Sequence, residues 1–193
     1  MKFKAVSFMD EICQQPVVLR EFVEQAFAEE DLQRSLAELM RGRQNAHIIL
    51  TGMGSSLFAC YITMKFLQVR GFHASAIESF ELQSREESFY TRDTIVIAVS
   101  QSGESPEVLE LLKKLPDFVS VVSVTNYPNS HLHTMTKLSC GIYAGTEYLT
   151  STKTYTNTLA AMMLLAYRLT GCGEQEMKAL RSQLGQCADR IES

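Results

Sequence analysis

The chain has no tryptophan, and only four prolines and ten glycines among its 193 residues. The missing tryptophan carries no functional information, but so little proline and glycine excludes a long linker or a low-complexity tract. Apolar runs are also short: the longest, 159–167, falls far below the ~20 residues a membrane helix needs. The N-terminus lacks an unbroken apolar signal segment. A soluble cytoplasmic protein with no membrane partner is the expectation. Positive charge is scarce and scattered, with 18 Lys and Arg against 22 Asp and Glu, so no basic footprint for nucleic acid exists. A net charge of −4 still permits anion binding where local amides and hydroxyls are the donors. The five cysteines, Cys13, Cys60, Cys140, Cys172 and Cys187, are odd in number and form no C-x-x-C pair. They read as thiols in a reducing compartment, with Cys60 on the apolar face of a helix.

With 46% hydrophobic and 21% charged residues, the chain can bury one substantial core. Its most informative stretch is Ser100-Gln101-Ser102-Gly103-Glu104-Ser105, which follows the apolar run 93–99 and precedes Pro106-Glu107-Val108-Leu109. That order reads as strand, tight loop, helix. In an α/β sheet such a loop lies at the C-terminal edge, where ligands bind. Its amides meet a helix N-terminus with unpaired donors and the positive end of the dipole. Serine hydroxyls add donors without bulk, a combination suited to phosphate. Thr51-Gly52-Met53-Gly54-Ser55-Ser56 repeats the design between an expected strand at 47–51 and a helix at 55–69. One Gly/Ser-rich turn is ordinary loop chemistry; two in succession after buried strands favour an anion site. No Gly-Lys-Ser/Thr follows, so this is not a Walker loop, and Leu57 stands where a dinucleotide fingerprint has its third glycine.

Helical periodicity over 8–40, broken near Pro16, places Val18, Phe22, Val23, Phe27, Leu32, Leu36 and Leu39 on one face. Strands are expected at 47–51, 74–77, 93–99, 119–124 and 138–144, with helices at 106–115, 152–169 and 174–191. Ser130 is placed to cap a helix after the turn 126–130. About five strands alternating with helices imply a doubly wound, flavodoxin-like parallel sheet covered on both faces, an αβα sandwich. Residues 1–45 form an N-terminal helical segment, 46–172 the domain proper and 173–193 a closing helix.

A third loop, 145–153, then shares the edge with the other two. Ser151 and Thr152 are placed to cap the next helix, Lys153 to neutralise a phosphate and Glu147 to transfer a proton. Against that, a lysine in a first helical turn is usually solvated, and a loop glutamate usually meets nearby amides. His131-x-His133 follows a Pro-containing turn and is expected to lack a carboxylate partner nearby, so no metal is expected; His47 and His73 flank strands and read as structural. No cofactor is expected either. Met162-Met163-Leu164-Leu165 reads as core.

Gly54-Ser55-Ser56, Ser100-Gln101-Ser102-Gly103-Glu104-Ser105, and Gly145-Thr146-Glu147 with Ser151-Thr152-Lys153 resemble the signature loops of the sugar isomerase (SIS) domain. The likeness runs toward the isomerase half of glutamine–fructose-6-phosphate aminotransferase, fructosamine deglycases and aminosugar-phosphate deaminases. Met9-Asp10-Glu11-Ile12-Cys13-Gln14-Gln15-Pro16 resembles the M-x-x-E-I-x-x-Q-P opening of that branch. The resemblance implies that Ser100, Gln101, Ser102 and Ser105 hold a sugar phosphate, that Ser56 reaches it, and that Leu149 and Ser151 line the sugar. Glu147 matches a motif position near the ligand and is the one loop carboxylate offered as a base.

Departures from the family pattern matter as much. That branch builds its isomerase from two SIS domains, and its main proton-transfer glutamate, ring-opening histidine and C-terminal lysine lie outside the first. The closing segment resembles a connector helix, so the chain is expected to be the front half of a longer enzyme. Glu78-Ser79-Phe80-Glu81 stands where the family shows Ser-Glu-Phe. Three functions follow: part of an aminosugar-phosphate or fructosamine-phosphate isomerase, deaminase or deglycase; a non-catalytic phosphosugar sensor; or a single-domain isomerase completed across subunits. The expected partners are a phosphorylated sugar or aminosugar and a second copy in a homodimer.

Overall fold

The computed structural model describes residues 7–148 and 150–193. Five parallel strands run β1 (His47–Gly52), β2 (His73–Glu78), β3 (Thr94–Val99), β4 (Ser120–Thr125) and β5 (Leu138–Gly141). Their order in the sheet is β2-β1-β3-β4-β5, the doubly wound arrangement whose direction reverses between β1 and β3. The loops after those two strands therefore open beside the reversal.

Helices cover both faces because the strands are apolar on both. Ile48, Leu50, Ile95, Ile97 and Val99 face α2 (Gln15–Phe27), α3 (Glu30–Met40), α4 (Ser55–Val69), α8 (Lys153–Leu169) and α9 (Glu174–Glu192). Ile49, Val96 and Ala98, one position out of phase, face α5 (Ser79–Leu82), α6 (Pro106–Lys114) and α7 (His131–Met135). Alternate residues pointing to opposite faces is the period-two rule of a strand. Leu19 and Phe22 on α2 and Leu180 on α9 enter the same core as the strands.

Two expected boundaries shift. The helix expected over 8–40 with a break near Pro16 has that break and a second one after Phe27, giving α1 (Phe8–Cys13), α2 and α3. Pro16 sits in the first turn of α2, where its missing N–H costs nothing but the preceding helix cannot continue. The last strand stops at Gly141 because Tyr143 takes a left-handed backbone, φ 54°. The polar stretch 78–92 forms α5 and a short 3-10 turn, Glu87–Phe89. Ser130 caps α7, accepting from the His133 amide. His47 and His73 pair across β1 and β2 with rings stacked at 4.1 Å, at the edge opposite the loops. Burial, then the neighbouring imidazole, lowers the His47 pKa.

No described helix is long and apolar enough to cross a membrane. All five cysteines are free. Burial pushes the Cys60 and Cys140 thiols up to about 12, while Cys13 and Cys187 are exposed. A thiol-disulfide reagent at mild alkaline pH should label Cys13 and Cys187 quickly and leave Cys60 and Cys140 unlabelled until denaturant is added. Native labelling of Cys60 at the rate of Cys13 would contradict this packing.

Candidate functional site

A cleft of about 260 Å³ opens at the C-terminal edge of the sheet, where the loops after β1, β3 and β5 meet. Its wall carries six aliphatic hydroxyls, from Ser55, Ser56, Ser102, Ser105, Ser151 and Thr154. Gln101, Tyr127, Met53 and Glu147 complete it. A larger cavity of about 640 Å³, near Arg41, Arg43 and Lys137, lies at the strands' other ends and gathers none of these loops.

Gln101 ties the loops together. Its Oε1 accepts from Ser55 Oγ at 3.3 Å and from Ser151 Oγ at 2.5 Å, and its Nε2 donates to Thr158 Oγ1 at 3.5 Å. One amide thus spans the loops after β1, β3 and β5. Beneath it, Ser100 is 1% exposed and does not reach the cleft. Its Oγ accepts from the Gly103 amide at 3.1 Å and pairs with Ser105 Oγ at 2.9 Å, so it shapes the loop that presents Ser102 and Ser105.

Three of the helices that begin at this edge meet the cleft, α4, α6 and α8, and they differ at their N-termini. Gly54 (φ 51°) caps α4 and Ser105 caps α6, neither with a side-chain hydrogen bond to the helix. The Ser56 amide already donates to the Met53 carbonyl and the Val108 amide to that of Ser105, and Pro106 has no N–H, so what these two starts offer an anion is the Ser55, Leu57 and Glu107 amides and the two dipoles. The start of α8 is already answered. Glu147 accepts from the Thr152 amide and Oγ1, both at 2.8 Å, from the Thr154 amide at 3.4 Å, and from Thr154 Oγ1. Partial burial pushes this carboxyl up, but the donors of Thr154 and Thr152 together hold it below the usual carboxylate range.

Some expected site residues stand elsewhere. Lys153 is 5% exposed and outside the cleft wall; its Nζ donates to Gln14 Oε1 at 2.6 Å. Thr152 supports Glu147 rather than capping α8 itself. Leu149 lies outside the described residues. Ser79 is buried, its Oγ 2.9 Å from Thr51 Oγ1. Contrary to expectation His131 has a carboxylate beside it, Glu104 at 2.6 Å across the loop after β3, while His133 meets Ser139 at 3.0 Å; no metal-binding trio of His, Cys, Asp or Glu occurs among the described residues. Sequence reasoning missed Met53, Tyr127 and Thr154. Their signal was position alone, since each sits just past a strand or in the first turn of a helix at the ligand edge.

The sequence pattern of the SIS domain matches residues 43–168, more than half of the chain. The chain belongs to the SIS domain family. This SIS domain is 26% identical over 191 residues to the isomerizing glutamine–fructose-6-phosphate aminotransferase of Thermococcus kodakarensis, covering 95% of this chain and 31% of that protein. It superimposes on the C-terminal domain of glucosamine-fructose-6-phosphate aminotransferase from Francisella tularensis with a TM-score of 0.78 at 23% identity, over 97% of this chain and 55% of that one. Against Vibrio vulnificus NanR complexed with ManNAc-6P the TM-score is 0.72 at 19% identity, over 97% and 71% of the two chains. The SIS domain spans between 20% and 31% of the length of the curated relatives it matches.

Proposed function

We propose that this SIS domain binds a phosphorylated sugar or aminosugar and belongs to an isomerase, deaminase or deglycase acting on aminosugar phosphates or fructosamine phosphates. The observation that carries this reading is the pair of helix starts without a side-chain cap, at α4 and α6, beside four serine hydroxyls in one cleft. Neutral donors and aligned dipoles hold a phosphate there without a lysine or arginine. The non-reacting phosphate fixes the open-chain sugar, and orientation of this kind lowers a barrier by several kcal/mol, roughly 7 in favourable cases. The relatives named as isomerizing aminotransferases and the neighbour holding ManNAc-6P support the substrate class.

Glu147 is the sole carboxylate among the described residues of the cleft wall. It is the group we offer for a proton shuttle between neighbouring carbons, and being ionised it is already in the base form. The four donors around it must loosen first, so holding the loop is its first task. A homo-oligomer finds support on α4, where Phe58, Tyr61, Ile62 and Val69 leave a large apolar stripe in water.

Titration calorimetry with fructose 6-phosphate, glucosamine 6-phosphate and a fructosamine 6-phosphate tests the reading, with unphosphorylated fructose as control. The phosphorylated sugars should bind and fructose should not. Replacing both Ser102 and Ser105 by Ala removes two hydroxyl donors to a charged group and should weaken binding about 100-fold or more. Unchanged affinity in that double variant sinks the phosphate cradle.

A further inference from the structure

Residues 9–16 resemble a family motif, yet none of them lines the cleft. They grip its third wall from behind. Glu11 on α1 is fully buried, and its Oε1 accepts from the Tyr148 amide at 2.6 Å. Gln14 Oε1 accepts from the buried Lys153 ammonium at 2.6 Å, and Gln15 Oε1 from Thr156 Oγ1 at 2.5 Å. The contacts rise in step: positions 11, 14 and 15 meet 148, 153 and 156. Between and beside those anchor points stand Glu147, Ser151 and Thr154, the described residues that this loop and helix start give to the cleft.

A buried carboxylate is costly unless donors compensate it. Glu11 nevertheless has only one of its oxygens engaged, and Oε2 is buried with no hydrogen-bond partner. Packing does not call for a glutamate there; holding the Tyr148 amide does. Among the described residues of 142–152, the other attachments lie toward the ends. Asn126 fixes the near end, donating to the Gly145 carbonyl at 2.7 Å and accepting from the Ala144 amide at 2.8 Å. Glu147 fixes the far end through Thr152 and Thr154. Glu11 holds the middle. Its own helix is pinned by the reciprocal cap of Ser7 and Asp10.

We propose that Glu11, Gln14 and Gln15 are positioning residues of the ligand loop, setting the places of Glu147, Ser151 and Thr154 through Tyr148, Lys153 and Thr156. Coupling between sites is reciprocal, so a sugar phosphate that engages Ser151 must also tighten α1 on the loop. The effect on affinity rests on the phosphosugar reading; the grip on the loop does not.

The test uses the full chain, with hydrogen exchange of the 145–153 amides in the free protein and calorimetric titration with fructose 6-phosphate. Glu11→Ala should speed exchange at Tyr148 by about tenfold or more and weaken sugar-phosphate binding by a similar factor. Glu11→Gln keeps an acceptor oxygen and should restore both. Gln14→Ala gives a milder variant should Glu11→Ala fail to fold, and should loosen the start of α8 alone. Fructose 6-phosphate should slow exchange of residues 8–15 in the unaltered chain. The proposal is overturned if exchange rises evenly across the molecule, if Glu11→Gln behaves as Glu11→Ala, or if the loop loosens with affinity unchanged. Should the unaltered chain bind no sugar phosphate, the functional reading falls, and exchange at Tyr148 alone then decides the positioning role.

Discussion

Gly103→Ala is expected to destabilise the fold by about 2–5 kcal/mol and to remove sugar-phosphate binding. Two costs add. Gly103 has φ +69°, a left-handed conformation that costs a residue with a Cβ roughly 1–2 kcal/mol. A Cβ there would also fall on the Oγ and Cβ of Ser130 and lie 2.7 Å from Thr125 Oγ1. Overpacking of this kind adds about 1–3 kcal/mol. Ser130 cannot simply step aside, because it caps α7 and donates to the Tyr127 carbonyl at 2.8 Å. The Gly103 carbonyl in turn accepts from the Leu132 amide at 3.0 Å. Gly145→Ala is the matched control: its φ is +65°, but nothing lies within 4 Å of the added Cβ. Urea denaturation should show a midpoint about 1–2 M lower for Gly103→Ala and a smaller fall for Gly145→Ala, with similar slopes. Equal losses in the two variants would mean that Ser130 yields and the crowding argument is wrong.

The same geometry explains what sequence could and could not reveal. Strands β1 and β3 stand out because Ile48, Ile49 and Leu50, and Ile95, Val96 and Ile97, are β-branched or bulky runs buried on both faces. The ligand edge follows from them, since whatever comes after a parallel strand in such a sheet faces the crevice. Ser55, Ser56, Gln101, Ser102, Ser105, Glu147 and Ser151 were therefore legible, and the cleft holds them all. Depth within a loop was not legible. Ser100 and Ser102 look alike in a hydroxyl-rich run, yet one is buried under the loop and the other presented by it. Lys153 reads as a phosphate ligand by charge and position, but it points to Gln14, a residue 139 positions away. Contacts of that span have no local pattern. The N-terminal helices lie against the ligand loop for the same reason that the motif at 9–16 could be recognised but not explained from sequence.

Electrostatics gives the cleft an internal division of labour. Among the described wall residues there is one full charge, on Glu147, and no cation. A phosphate beside a free carboxylate would be repelled. Here that carboxylate is turned onto the N-terminus of α8, whose dipole and donors absorb its charge. The starts of α4 and α6 carry no such side-chain cap. Under the proposed function, phosphate and carboxylate share an edge by taking different helices.

Glu147 variants separate holding the loop from moving a proton. Glu147→Ala strips the acceptor from Thr152 and Thr154 and should cost about 1–3 kcal/mol, the range for a lost hydrogen-bonded charge or helix cap. It should also weaken sugar-phosphate binding by about tenfold, because Ser151 and Thr154 lose their anchor. Glu147→Gln keeps one acceptor oxygen and should retain binding within about threefold, losing roughly 0.3–1 kcal/mol of favourable charge at the helix start. The pH dependence has a definite sign. The folded carboxyl lies below its ordinary value of 4.5, so its contribution is fully present above that value and fades as acid titrates through the folded one. Stability of the unaltered chain minus that of Glu147→Gln should accordingly be flat near neutrality and shrink on acidification. A gap that widens in acid would mean the carboxyl is raised, not lowered. Under the proposed function, isomerase turnover decides the remaining role. If Glu147 only holds the loop, Glu147→Gln keeps most of the rate; a fall of about 100-fold or more with binding intact makes it the base.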